Sequence, residues 1–278
     1  MVTGASGFIG RALIRELARR EVNVIAVSRR PSSAPANVLT KIVDLYEATP
    51  PDPTAVMVHL AELADIREVE RRGSGYLTET TNRTKALLEN NYARFVYVSS
   101  GKVYRNDSTE PKSPTDLISP NGIYASTKLA AEDLVRQKDG VIVRLGNIYG
   151  PPVKQGTVIA DILDQIENDG PIMIRDDNPA RDYLWIDDAA KGLAGIALGL
   201  STGIFNLGSG VATSPSELAC IALDVSGEPN RSIIANNPKR QGEIDSIALD
   251  FSDTTAQFGW RPRWTLAEGI NTLLKESQ

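Results

Sequence analysis

Over its first half the chain alternates short β-branched runs with stretches of helical period. The apolar runs are VNVIAVS (22–28), KIVDL (41–45), AVMVHLA (55–61), RFVYVSS (94–100) and GVIVRLGNIYG (140–150), and the helical pattern falls on 9–20, 76–91 and 123–138. That alternation predicts βαβ units on a parallel sheet. After Pro151-Pro152 the texture changes to scattered helices, Asp and Gly turns and short strands such as IMIRD (172–176), YLWID (183–187) and GIFNLGSG (203–210). Two regions are expected: 1–150 as the larger, and 151–278 as a smaller α/β region, with some of its segments returning to the core. The Pro-rich stretches at 31–36 and 50–53 read as loops. Only Met1 and Val2 precede the turn at Thr3-Gly4, so either the first strand is very short or the true start lies upstream.

With 41% hydrophobic and 23% charged residues among 278, the composition is that of an ordinary folded protein. A net charge of −5 gives no basic footprint for a nucleic-acid backbone. The start, MVTGASGFIGRALIRELARR, lacks the order of a signal peptide, and no apolar run reaches the roughly 20 residues needed to span a bilayer. A cytoplasmic protein without nucleic-acid or membrane partners is expected. The single cysteine, Cys220, lies in the apolar stretch PSELACIALDV and is expected as a small buried hydrophobe.

Gly4, Gly7 and Gly10 in TGASGFIG open the first helical pattern. In such a turn the first glycine permits the tight bend, the second lets backbone approach a pyrophosphate, and the third allows close helix–strand packing. The helix N-terminus then presents amides and a positive dipole end to the phosphates. The expected fold is therefore a Rossmann-type, doubly wound parallel sheet that binds a dinucleotide. The second strand ends VIAVSRR, placing Ser28 and Arg29 where an NAD-selective site carries an acidic residue. Arginine suits a 2′-phosphate, so NADP(H) is favoured, with NAD(H) as the alternative. The competing reading makes Arg29 and Arg30 solvated loop charges. Asp44 is placed to face the adenine end, with Leu45 beside it, although an Asp closing a strand is often only a turn residue.

Tyr124 and Lys128, in GIYASTKLAAEDLV, are four residues apart on one helix face. A tyrosine with its ordinary pKa of about 10 is a poor proton shuttle at neutral pH, and a nearby ammonium brings the phenolate into range. Ser100 ends RFVYVSS at the C-terminal edge of a strand, where doubly wound sheets bind ligands. It can orient a substrate oxygen.

Together TGASGFIG, HLA (59–61), YVSSGKVY, YASTK, RLGNIYGP, RDYLWIDD and GWRPRWTLAEGI resemble the extended short-chain dehydrogenase/reductase family over almost the whole chain. The resemblance implies that Tyr124 is the acid/base, that Lys128 lowers its pKa and holds the nicotinamide ribose, and that Ser100 binds the reacting oxygen. The implied cofactor set is Gly4, Ser6, Gly7, Phe8, Ile9, Gly10, Ser28, Arg29, Asp44, Leu45, Leu60, Ala61, Tyr124 and Lys128. Hydride transfer needs no metal. His59, the only histidine, is expected as structural or cofactor-adjacent. Nucleotide-sugar members imply Asn147, Arg181 and Arg240 as substrate-binding residues, the arginines acting on a diphosphate. The competing reading pairs them with Asp182 and Glu243. Asp187 and Asp188 read as helix N-terminal caps. A helix-pair homodimer is common in the family, with 76–91 and 123–138 as candidates.

The chain also departs from the family. Gly101-Lys102 stand where dehydratases carry an Asp-Glu pair, which disfavours a dehydratase. Glu62 follows HLA where a small residue is usual, placing a carboxylate near the cofactor loop. The expected activity is NADPH-dependent reduction of a nucleotide-linked keto-deoxysugar. A nucleotide-sugar epimerase with tightly held NAD is the alternative, and behind it stand a reductase of a non-nucleotide ketone and a non-catalytic NADP-binding regulator.

Overall fold

In the computed structural model, residues 1–29, 35, 38–42 and 53–277 are described. The first half runs β1 (Val2–Thr3), α1 (Phe8–Arg19), β2 (Val24–Ser28), β3 (Val38–Ile42), β4 (Val56–His59), α2 (Ile66–Arg72), α3 (Ser74–Leu88), β5 (Arg94–Ser100), α4 (Gly122–Arg136) and β6 (Val141–Leu145). There follow β7 (Asn147–Tyr149), α5 (Val158–Ile166), β8 (Ile172–Ile174), β9 (Pro179–Trp185), α6 (Ile186–Leu198) and β10 (Ile204–Leu207). The chain ends with β11 (Ala212–Thr213), α7 (Pro215–Ser226), β12 (Ile233–Ala235), β13 (Asp245–Ile247), α8 (Ser252–Phe258) and α9 (Leu266–Ser277).

Seven parallel strands form the central sheet in the order β10-β6-β5-β4-β1-β2-β3. From β1 the chain winds one way to β3, then returns across β1 to continue the other way through β4, β5 and β6. The reversal opens a crevice beyond the carboxyl ends of β1 and β4, the general ligand position in such Rossmann-type sheets. Helices cover both faces. On one, Leu13, Ile14 and Leu17 of α1 meet Leu193, Ala194 and Ile196 of α6 over the sheet valines; on the other, Leu87 of α3 and Ala131 and Val135 of α4 cover Met57, Phe95 and Ile142. Burial on both faces explains why the strands read as unbroken apolar runs.

The C-terminal half builds a second, smaller sheet around β9, which pairs with β7, β11 and β13. Its core gathers Ile159, Ile162 and Leu163 of α5, Leu218, Ala219 and Ala222 of α7, and Ile270 and Leu273 of α9. β10 returns to the edge of the main sheet beside β6.

Several details differ from the sequence reading. The run 140–150 divides into β6, in the main sheet, and β7, which pairs with β9 instead. β3 begins at Val38, three residues before the run predicted there. α2 was not anticipated, because IREVERR is short and buries only Val69. Cys220 is exposed rather than buried; the inward face of α7 is formed by Leu218, Ala219, Ala222 and Leu223, and Cys220 lies off it. Asp187 and Asp188 lie within the first turn of α6 and do not cap it, since the N-cap is Trp185. Asp188 is buried and accepts the backbone amides of Arg263 (2.7 Å) and Trp264 (2.9 Å), fastening the C-terminal segment to α6. On α4, Val135 is buried and Leu129 packs on Val103, Tyr104, Ile247 and Leu249, so both face the chain's own core.

Candidate active site

The glycine turn is sterically specified. Gly4 has a positive φ of 67°, and a Cβ there would stand 2.7 Å from the carbonyl of Leu60. At Gly10 a Cβ would overlap the Gly4 carbonyl oxygen and lie 2.9 Å from the Ala5 Cα. The turn and the Leu60-Ala61 loop therefore touch backbone to backbone. The N-cap of α1 is Gly7, which offers no side-chain cap, and the first turn carries no acidic residue. Its leading amides are left for an anionic ligand, which is the fit expected of a dinucleotide pyrophosphate.

A cavity of about 650 Å³ opens in front of this turn. Gly4, Gly7, Phe8, Ile9, Gly10 and Leu60 line one side, and Ser100, Tyr124, Lys128 and Asn147 the other. The cavity thus joins the glycine turn and the three predicted catalytic side chains. Ser6 and Ala61 sit beside it, Ser6 with its carbonyl taken by the Arg11 guanidinium at 2.8 Å. Ser28 is buried at the end of β2 and Arg29 is exposed after it; neither lines the cavity. Asp44 and Leu45 lie outside the described residues.

Lys128 is buried on α4, and its Nζ donates to the Val98 carbonyl at 2.9 Å and to Glu62 Oε2 at 2.6 Å. Burial pulls its pKa down, but Glu62 and the neighbouring Tyr124 and Tyr76 outweigh that, so it stands above the ordinary lysine value. Tyr124 is placed by an unusual cap. The first-turn amides of α4 at Ile123 and Tyr124 donate to the two Glu70 oxygens, each at 3.1 Å, while the N-cap Asn121 makes no side-chain bond. A carboxylate at a helix N-terminus also meets the positive end of its dipole. Ser100 closes β5, and its Oγ accepts from the Lys102 amide at 3.2 Å.

Behind this wall lies a second buried pair. Arg144 of β6 donates to both oxygens of Glu132 on α4, at 3.0 and 2.6 Å, with neither side chain exposed. Ser99 adds a 2.5 Å bond to the same carboxylate, and the Arg144 guanidinium stacks 4.6 Å from the Tyr104 ring. His59 is buried with Nδ1 2.7 Å from Thr3 Oγ1, and burial lowers its pKa to about 4, so it is uncharged at neutral pH.

Residues 1–208 match the family model described as the NAD dependent epimerase/dehydratase family. The chain belongs to that family. It is 27% identical to the dTDP-4-dehydro-6-deoxyglucose reductase of Escherichia coli, over 99% of this chain and 96% of that protein. Identity to the dTDP-L-rhamnose 4-epimerase of Burkholderia thailandensis is 25%, over 98% of this chain and 93% of that one. Among solved structures it is similar to MoeE5 in complex with UDP-glucuronic acid and NAD, with a TM-score of 0.83, 26% identity, and coverage of 99% and 97%.

In this epimerase/dehydratase family chain, the smaller sheet supplies the outer rim of the cavity. A crevice lined by Ser100, Lys102, Asn147, Arg181 and Ile247 adjoins it. Arg181 sits there with its side chain 16% exposed, paired with Asp245 at 2.8 Å rather than with Asp182. Asp182 is instead buried and accepts from the backbone of Ser209, Gly210 and Leu249. Lys102 faces the same crevice, its pKa lowered by burial and by Arg181. Arg240 lies outside it, on an exposed turn, 3.2 Å from Glu243. Two further residues act on the site that motif reading did not assign. Glu70 belongs to the helix the pattern missed, whereas Glu62 had a visible signal, a carboxylate after HLA, but its partner could be found only in space.

Proposed function

We propose that this chain is an NAD(P)-dependent oxidoreductase of nucleotide-linked sugars, reducing a keto-deoxysugar through Ser100, Tyr124 and Lys128. The observation that carries the reading is the single cavity shared by the glycine turn and these three side chains. Glycine-turn amides and the α1 N-terminus would hold the dinucleotide pyrophosphate, and Lys128 the nicotinamide ribose. The dinucleotide supplies the hydride. Tyr124 gives its proton to the carbonyl oxygen that the hydride turns into an alkoxide, Ser100 orients that oxygen by hydrogen bonding, and Lys128 holds the positive charge that favours the phenolate left behind. Arg181 and Asn147 border the sugar end, and Arg240 would reach it only with its ligand, exchanging Glu243 for a phosphate. Similarity to a dTDP-4-dehydro-6-deoxyglucose reductase over nearly the full length of both proteins supports the reductive direction.

The test is to follow NADPH and NADH oxidation with a nucleotide-linked 4-keto-6-deoxyhexose, and to repeat it with Tyr124→Phe. Loss of the general acid should cut turnover by roughly 100- to 10,000-fold with folding unchanged. Turnover unaffected by Tyr124→Phe would sink the mechanism. The NAD-bound form of MoeE5 favours a second reading, a nucleotide-sugar epimerase that keeps its cofactor; stoichiometric NAD released on denaturing the purified protein, with no net NADPH consumption, would select it.

A further inference from the structure

We propose that Glu62 is the counter-ion of the Lys128–Tyr124 pair, a positioning residue whose charge sets the pH range in which Tyr124 exchanges its proton. The proposal rests on the Ser-Tyr-Lys reading above for the role of Tyr124 and on geometry for everything else. Glu62 lies in the loop after β4 with its side chain only 5% exposed. Its amide turns back to the Leu60 carbonyl at 2.9 Å, and the next amide, Leu63, donates to the Tyr76 hydroxyl at 2.8 Å, so the loop is pinned on both sides of the carboxylate. One oxygen takes the Lys128 ammonium at 2.6 Å and the other the Tyr97 hydroxyl at 2.8 Å. Two of the three ammonium protons are committed in this way, to Glu62 and to the Val98 carbonyl, leaving one for the cavity.

Among the described residues, Glu70 of α2 accepts the Tyr124 backbone amide at 3.1 Å and Lys102 lines the same cavity, both present alike in every variant compared below, and the other ionisable groups near the pair are neutral or paired. From β4, His59 lies 3.9 Å from Glu62 and is uncharged at neutral pH. From β5, burial and the Glu62 charge hold Tyr97 well above the ordinary tyrosine range. From α3, Tyr76 is likewise raised by burial and by Glu62, and Arg83 shares the Glu79 carboxylate with Arg72. From α4, Glu132 belongs to Arg144. Lining the cavity together with Tyr124 are the Lys128 ammonium and, in contact with it, the Glu62 carboxylate. The phenol therefore meets an ion pair and not a bare ammonium, and the carboxylate works against the phenolate that the lysine favours.

The experiment needs neither substrate nor dinucleotide. The phenolate absorbance of the wild type minus that of Tyr124→Phe, followed against pH, gives the ionisation of Tyr124 alone; the same difference is taken in a Glu62→Gln background. The expected midpoint falls by about one pH unit, close to a tenfold gain in phenolate at fixed pH, and Glu62→Asp, which keeps the charge, stays near the wild type. A midpoint unmoved or raised in Glu62→Gln overturns the proposal. Should Glu62→Gln fail to fold with its lysine unmatched, Glu62→Gln/Lys128→Met removes both charges together. Its midpoint is expected within about half a unit of the wild type because the pair is neutral as a whole; a rise of more than one unit would mean that the lysine acts unopposed, and overturns the proposal. Failure of the Tyr124→Phe assay above would remove the reaction and leave this titration standing, so the two readings can fail separately.

Discussion

The wall of the cavity and the exposed turn beyond it use the same chemical groups in opposite ways. Against the sheet, Lys128–Glu62 and Arg144–Glu132 are buried pairs, the second with both side chains wholly inaccessible. On an exposed turn outside the cavity, Arg240 and Glu243 are 61% and 59% exposed at 3.2 Å. Buried charges cannot fall back on water, so each must keep its partner, and the geometry they impose on β5 and α4 holds before any ligand arrives. Exposed pairs are screened and contribute little to stability, which leaves an arginine free to exchange its carboxylate for a phosphate. Arg181 stands between the two regimes, mostly covered yet bordering the crevice with an ion pair that a ligand could compete for. The buried pairs fix geometry, and the exposed one leaves a guanidinium for which a ligand can compete.

The sharpest way to break this contrast is Glu132→Ala. It strands the buried Arg144 guanidinium with, among the described residues, the Pro114 carbonyl at 3.3 Å and the Tyr104 ring as its remaining neighbours. Removing one partner of a buried pair costs about 3–5 kcal/mol, and equilibrium unfolding in urea should show that loss. A change under about 1 kcal/mol would mean that water reaches Arg144 and that the wall is not dry. Glu132→Gln, which keeps an acceptor for Ser99 and Arg144, should lose less than Glu132→Ala.

How far the sequence reveals such a site depends on whether a signal is local. The glycine turn is a backbone requirement written in three neighbouring positions, and Tyr124 and Lys128 share a helix face by spacing alone. The strands of the central sheet were legible because burial on both faces leaves no alternation to misread. Glu70 was not legible, since it sits in a seven-residue helix with a single buried position and acts on an element 53 residues away. The Glu62–Lys128 contact joins positions 62 and 128 through the stacking of β4, β5 and α4, which no single segment encodes. Asp188 misled for the same reason. A carboxylate in the first turn of a helix looks like a cap until the Arg263-Trp264 amides arrive from the far end of the chain.

A middle-sized effect should come from Gly10→Ala. The added methyl meets the Gly4 carbonyl oxygen and the Ala5 Cα, both backbone atoms that can yield only by moving α1 away from β1. Overpacking of this kind costs about 1–3 kcal/mol. Because the displaced helix N-terminus is also the proposed phosphate cradle, NADPH and NADH affinity should weaken along with thermal stability. Stability lost with affinity unchanged would separate the third glycine from cofactor binding and leave it a packing residue only.

The smallest expected effect on folding belongs to Arg240→Ala, and it tests the exposed turn directly. The Arg240–Glu243 pair is solvated and only three residues long in sequence, so its loss should change unfolding free energy by no more than about 0.5 kcal/mol. Affinity for a nucleotide sugar should nevertheless fall, by the roughly 1.5–3 kcal/mol of a charged hydrogen bond if Arg240 turns to the diphosphate. Binding measured by calorimetry at low and high salt separates the cases, because a phosphate contact through an exposed guanidinium weakens as salt rises. Unchanged affinity in Arg240→Ala, beside a loss in Arg181→Ala, would confine substrate recognition to the covered crevice and make the exposed turn a bystander.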